Sequence, residues 1–435
     1  MPSLSAAGGI AVSGCCQQVA MTPVTLRARA RRGWIRGCGN VGCTQQWPWK
    51  DDPLIKQLKP MFSSKVMRAT VTPLASIFGS GFLIIVPVLE QTLGALSVLG
   101  VVGVCALAWF IGTAIRHNVA TIEPMQEQGR LPNLDCKLES FADFVIAIAY
   151  VISVALYLRI MSQYVVEFFD GSENAEKLLA SAAIVLITSV GVLRGFSGLD
   201  LMERLALGAV LVLVTLLSGA LFFTDFTSAI GSGLASPPVP DRSLAQILLV
   251  LGGIVITVQG FETVRYLADE YDRETRILAS RLSQLIATLV YVGFVLVATP
   301  AMGLGTPDGP DRTLIDITER VAPLFTIPVV ITAVLSQFSA ATADSVAANG
   351  NLHLLIGKQL GRHAAFLLIG IAAIVLVWTV PTLAIVTLAS RAFAAYYAIQ
   401  CVVAMRSSDR PAAKSGFGLL AIVLLLITLL AEPAG

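Results

Sequence analysis

The sequence predicts an all-α membrane protein of about 11 transmembrane helices, built as a 5+5 inverted repeat with discontinuous helices 1 and 6. Three observations predict it. Only 13% of the 435 residues are charged, half the roughly 25% of a soluble chain. The mean hydropathy is +0.78, and 55% of residues are apolar and gathered into long runs, as a bilayer-spanning chain requires. Two of those runs, five apart in order, are interrupted by glycine and polar residues at mid-depth. The composition excludes a soluble enzyme, a disordered chain and a fibrous repeat.

Residues 1–60 stand apart as a basic extension. Residues 1–70 hold 10 Lys/Arg against Asp51 and Asp52, a net of +8, whereas the rest of the chain carries −6. The basic excess therefore says nothing for nucleic-acid binding by the body. Residues 1–50 lack acids and include Arg27, Arg29, Arg31, Arg32 and Arg36. Such a start reads as a transit peptide, as a disordered tail, or as a stretch upstream of a true start at Met61 or Met67. Nothing in it can bury a face, so the extension is left out of the fold. Cys15, Cys16, Cys38 and Cys43 lie there, while Cys105, Cys136 and Cys401 are scattered. With no CxxC pair and only three dispersed His, neither a zinc site nor a disulfide framework is expected.

A span needs about 20 apolar residues. The runs 71–90, 93–115, 140–168, 177–193, 202–223, 244–266, 283–303, 321–345, 364–381, 383–405 and 417–431 qualify. With the N-terminus in the cytoplasm, the inner loops hold thirteen Lys/Arg and the outer loops four, the bias of the positive-inside rule. A cell-membrane location follows, bacterial inner membrane being the expected one. The expected organisation is a core over 61–405, with repeats at about 71–223 and 244–405, and an accessory helix 11 in 406–435.

Span 1 carries Gly79-Ser80-Gly81 and then Pro87. Two glycines around a serine make an unwound stretch plausible, and unwinding would free amide groups near Gly79–Phe82 where an anion is favoured. The competing reading is close helix packing, for which glycine is equally common. Span 6 carries Gly252-Gly253, Gln259-Gly260 and Glu262, with its break expected near Val258–Phe261. Paired interruptions in corresponding halves point to a transporter site between inverted repeats.

With these motifs the chain resembles the amino acid–polyamine–organocation (APC) transporter superfamily, whose fold is the LeuT-type inverted repeat. Gly79-Ser80-Gly81 matches the glycine signature of its first span, and Gly260-Phe261-Glu262 that of its sixth. Glu270 and Arg276 match the loop that follows, where Glu274 replaces the usual proline. The segment 191–207 resembles the turn between spans 4 and 5, and the resemblance runs over roughly 70–431.

The resemblance implies a secondary active transporter moving an amino acid or related small organic amine by alternating access, and not an enzyme. The substrate carboxylate would rest on amides around Ser80 and Gly81, its ammonium on carbonyls near Val258 and Gln259, with Phe261 as an aromatic lid. In span 8, Ala341, Asp344 and Ser345 share one helix face. They resemble the sodium site of some LeuT-fold symporters, completed by carbonyls near Ala75 and Phe78 and suited to a hard cation. Asp344 in cytoplasmic water, or paired with Arg265, is the plainer alternative. Glu262 is expected to carry a proton, to bind a cationic substrate, or to pair with Arg265 three residues on. Glu90 and Arg391 are the candidate outer gate, while Arg159, Tyr157, Gln163 and Tyr164 on span 3 are uncommitted. No cofactor is expected beyond a bound Na+. The expected partners are the small-molecule substrate and the lipid bilayer, and no nucleic acid. An inorganic-cation carrier and a transport-inactive membrane sensor on the same fold stay open. Neither an intramembrane peptidase pair nor a GxxxxGK[ST] motif is present.

Overall fold

The computed structural model describes residues 63–193, 199–232, 237–268, 270–302, 314–356 and 362–432. The basic extension at 1–60 and part of the turn resembling the family's segment 191–207 lie outside the described residues. The described chain is helical throughout. In order it forms α1 (Ser64–Leu93), α2 (Ser97–Glu127), α3 (Asn133–Phe168), α4 (Glu173–Leu193), α5 (Leu199–Ser232) and α6 (Leu244–Gly253). It continues with α7 (Arg273–Met302), α8 (Leu314–Val321), α9 (Thr326–Ile356), α10 (Arg362–Thr379), α11 (Thr382–Ser407) and α12 (Pro411–Leu430). Ten of the eleven expected spans fall on one helix each, the sixth covers α6 and the two 3-10 runs that follow it, and the short α8 is the addition. The helices overrun the spans at one or both ends because hydropathy marks only the apolar stretch, while polar end turns reach into the interface.

Eight segments are long and apolar enough to cross a membrane, and α6 and α10 add two shorter apolar helices. This is an integral membrane protein. The most apolar stretch of α3 is 78% buried and that of α12 only 11%, so α3 is the axis and α12 a peripheral, lipid-facing rod. α3 packs on α9 and α4 on α10. Those are the third with the eighth and the fourth with the ninth membrane segments.

Two interruptions were expected, and one is present. α6 ends at Gly253, a single 3-10 turn covers Val255–Val258, Gln259 is extended, and Gly260 has φ +127° before a second 3-10 run over Phe261–Leu267. α1, by contrast, winds through Gly79, Ser80 and Gly81 without interruption. The packing reading holds there. A Cβ on Gly81 would stand 1.8 Å from the Thr257 carbonyl oxygen, and one on Gly79 would stand 2.7 Å from Ala340 Cβ. The glycines let a continuous α1 lie directly against the distorted segment and against α9. A helical glycine costs about 1 kcal/mol relative to alanine, and the close approach offsets it. Amides at 79–81 are therefore spent inside the helix and do not form the expected carboxylate cradle in this conformation.

Pro87 marks the real irregularity of α1. Lacking an amide, it leaves the Leu83 carbonyl without its helical donor, and the Tyr164 hydroxyl of α3 donates to that oxygen at 3.0 Å. The Tyr291 hydroxyl of α7 donates to Ile77 O at 2.8 Å, and Gln337 of α9 to Gly79 O at 2.7 Å. Side chains from three helices thus grip the middle of α1.

Gly81→Ala should force α1 off the 255–258 segment, an overpacking cost of about 1–3 kcal/mol. Gly103→Ala, whose Cβ meets no atom within 4 Å, is the unobstructed control and should gain up to about 1 kcal/mol. Thermal unfolding in detergent checks this: the first variant should melt below the parent and the second at or above it, and a Gly81→Ala protein that melts with or above the parent would refute the close approach.

Candidate functional site

The break in helix 6 is where backbone groups leave the helical ladder, and neighbouring side chains receive them. Ser390 of α11 accepts the Ile256 amide at 3.1 Å. The Gly260 amide turns onto the Glu262 carboxylate at 2.9 Å. Gly260 is required twice over. Its φ of +127° disfavours any side chain, and a Cβ would lie 2.7 Å from both Ile77 N and Ser76 Oγ. Glu262 is fully buried and also accepts from the Tyr397 hydroxyl at 2.8 Å, while its Oε1 makes no hydrogen bond. Phe261 stacks on Tyr397 with ring centroids 5.4 Å apart. Gln259 donates to the Tyr157 hydroxyl of α3 at 2.9 Å. Tyr157 and Tyr164 are thus both buried, the first accepting from Gln259 and the second donating to Leu83 O and lining a cavity along α1.

α9 continues to Ile356, so Asp344 is inside the bundle and buried, not in water beyond a shorter helix. The Ser153 hydroxyl of α3 donates to its carboxylate. Asp344 sits at the head of a cavity of about 510 Å³, lined with Ala75 and Ser76 of α1, Thr263, Tyr266 and Glu203 of α5. Of the five expected cation ligands, Ala75 and Asp344 share this cavity. Ser345 instead donates to Ala341 O at 2.7 Å, and Phe78 is buried edge-on against Tyr291. A second cavity of about 560 Å³ lies along the other half of α1, at Leu83, Pro87 and Gln91, with Arg159 and Gln163 of α3. Between the stretches of α1 that line the two, Ile77, Phe78 and Phe82 are each 1% exposed. The chain thus holds two vestibules separated by a dense aromatic layer.

The arginines inside the spans are all engaged elsewhere. Arg265 pairs with Glu139 of α3 at 2.7 Å and touches the Tyr396 hydroxyl at 3.3 Å, so it neutralises neither Glu262 nor Asp344. Arg159 meets Glu173 at 3.1 Å and Glu176 at 3.7 Å. Arg391 donates to the Ala431 and Leu429 carbonyls at 2.7 and 3.2 Å, capping the C-terminal end of α12 where the dipole favours a cation. The expected Glu90–Arg391 gate is not formed, because that guanidinium is committed to the accessory helix. Arg276 forks on Glu123 of α2 at 2.6 and 3.1 Å and reaches Val264 O at 3.3 Å, tying the end of the broken helix to α2. Lys65 pairs with Asp272 beside it, and with the Thr275 hydroxyl holds that carboxyl well below the usual range.

Glu262 and Asp344 remain as two buried carboxyls that act on each other, with no Arg or Lys paired to either among the described residues. Acids in such a place are neutralised by a proton, a metal cation or a cationic ligand. Asp344 and Glu262 were legible in the sequence as acids inside spans. Ser153, Tyr397 and Glu139 were not, since a lone Ser or Tyr on an apolar helix carries no signal, and Glu139 precedes its span by one residue. Glu139→Ala should strand Arg265 as a buried charge and cost about 3–5 kcal/mol. Chemical or thermal unfolding measures it, and Glu139→Ala combined with Arg265→Leu should recover most of the loss.

The model of an APC superfamily transporter matches residues 59–431. A protein of Aquifex aeolicus (strain VF5), described as uncharacterized, is 33% identical over 353 residues, or 80% of this chain and 86% of its own length. These matches establish the kinship: the chain belongs to the APC superfamily of transporters.

Proposed function

We propose that the protein is a secondary active transporter of an amino acid or related small organic amine, driven by a proton or sodium gradient and working by alternating access. The observation that carries the reading is that Asp344, a buried acid, lines one vestibule together with Thr263 and Tyr266 of the segment that follows the break. Asp344, Glu203 and the Ser76 and Thr263 hydroxyls give that vestibule acceptors for an ammonium group. Carbonyls around Val258 and Gln259 would add to them, and Phe261 against Tyr397 would form the wall. The amides of α1 at Gly79–Gly81 are inside a helix, so in this conformation the vestibule favours the amine end of a substrate over its carboxylate.

Proton coupling through Asp344 is favoured over sodium coupling, because of the five expected cation ligands only Ala75 and Asp344 line the vestibule. A carboxyl held by one serine hydroxyl can pass between charged and neutral forms with little rearrangement. The N-terminus would be cytoplasmic, which places this vestibule on the inner face. An inorganic cation as cargo is the second reading, favoured by the same oxygen-lined vestibule.

Uptake into proteoliposomes tests this. Labelled amino acids or amines should accumulate under an imposed proton gradient. Asp344→Asn should lower gradient-driven uptake roughly tenfold or more, as expected for losing a charge-assisted contact worth about 1.5–3 kcal/mol, while leaving counterflow exchange measurable. Accumulation that follows sodium and ignores pH would reassign the coupling ion. Uptake of alkali cations without any amine would replace the substrate class.

A further inference from the structure

At the end of the bundle that carries Arg276 and Arg406, a third cavity of about 670 Å³ opens between α2, α7 and the α11–α12 turn. It is lined by Arg116, Arg281, Arg410 and His117, with Asp409 as the sole acid in its lining. Arg116 is buried at 5% exposure. Its guanidinium meets only neutral groups: Gln284 Oε1 at 2.5 Å, Thr113 Oγ1 at 2.9 Å, Ser280 Oγ at 3.4 Å, the Trp109 carbonyl at 3.3 Å, and the Trp109 ring at 4.9 Å. The Arg281 charge acts on it with the same sign, and Asp409 acts on His117 instead. Among the described residues no carboxylate pairs with Arg116, Arg281 or Arg410. A buried cation without a counter-charge is costly, and here three arginines share one recess.

The surroundings say what kind of anion would enter. Arg281 is followed on the same face of α7 by Leu285 and Leu289, 41% and 73% exposed, and α2 presents Phe110 at 61%. These apolar side chains face lipid. The recess therefore joins a cationic pocket to an acyl-chain surface, with Trp109 at the junction, where indoles favour the headgroup level. Basic pockets between membrane helices are suited to lipid phosphates.

We propose that this recess binds the phosphate headgroup of an anionic phospholipid. Arg116 forms its floor, Arg281 and Arg410 its rim, and the acyl chains run along Leu285, Leu289 and Phe110. The ligand bridges α7 to the α11–α12 turn, and so joins the segment that follows the broken helix to the accessory helix.

The test uses the full chain purified in detergent, loaded with phosphatidylglycerol or phosphatidylcholine, washed, and assayed for retained lipid by mass spectrometry. Phosphatidylglycerol should be retained preferentially. Arg281→Gln with Arg410→Gln should weaken retention roughly fivefold per arginine, the effect of one basic residue at a membrane surface, with unchanged melting in lipid-free detergent. Should the double variant fail to fold, Arg410→Gln alone, on an exposed turn, should give the single fivefold loss. Equal retention of the two lipids by the parent, or retention unaffected by the arginine changes, overturns the proposal. Displacement of the lipid by millimolar inorganic phosphate overturns it in favour of a soluble phosphate site.

Discussion

Inside a bilayer no water stands ready to satisfy a peptide group, and the architecture follows from that constraint. A helix can lose its ladder at mid-depth only where neighbours supply the missing partners. Around Ile254–Phe261 the sixth membrane segment does so because Ser390 of α11 accepts the Ile256 amide and the segment's own Glu262 carboxylate accepts that of Gly260. The same accounting explains α1. Pro87 withholds one amide, and a tyrosine from the axial helix replaces it. Where these two segments uncover polar backbone, its partners come from α3, from α11 and from the broken segment's own Glu262.

Charge obeys a parallel rule. Arg265, Arg159 and Arg276 each reach a carboxylate, and Arg391 reaches the carbonyls at a helix end. Those pairs join α3 to the broken helix, α3 to α4, α7 to α2 and α11 to α12, so they fix the scaffold. Glu262 and Asp344 are left outside this set of pairs, against the aromatic layer that divides the two vestibules. Structural ion pairs and carboxyls suited to function are thus separated by whether an arginine was placed within reach.

Much of the fold was legible in the sequence. Apolar run length identified eleven spans because lipid imposes a length. Gln259-Gly260 located the break in helix 6 because an extended residue followed by one at positive φ interrupts a helix, and glycine tolerates that best. Gly79-Ser80-Gly81 was ambiguous for a physical reason. Glycine serves equally to unwind a helix or to let another backbone approach it, and only the position of Thr257 decides between them. The gate failed similarly. Glu90 and Arg391 carry suitable charges, but nothing local to Arg391 reveals that the end of α12, some forty residues on, folds back over it. Side-chain partners across helices depend on rotation about each helix axis, which a single sequence does not state.

The Tyr164 hydroxyl has one further consequence. It donates to Leu83 O in α1 and accepts the Leu314 amide that opens α8. One phenol is thus a shared fastener for two elements that are not covalent neighbours. If α1 swings, the hydroxyl loses its acceptor but keeps its donor, so α8 stays pinned to α3 like the fixed leaf of a hinge while α1 comes away.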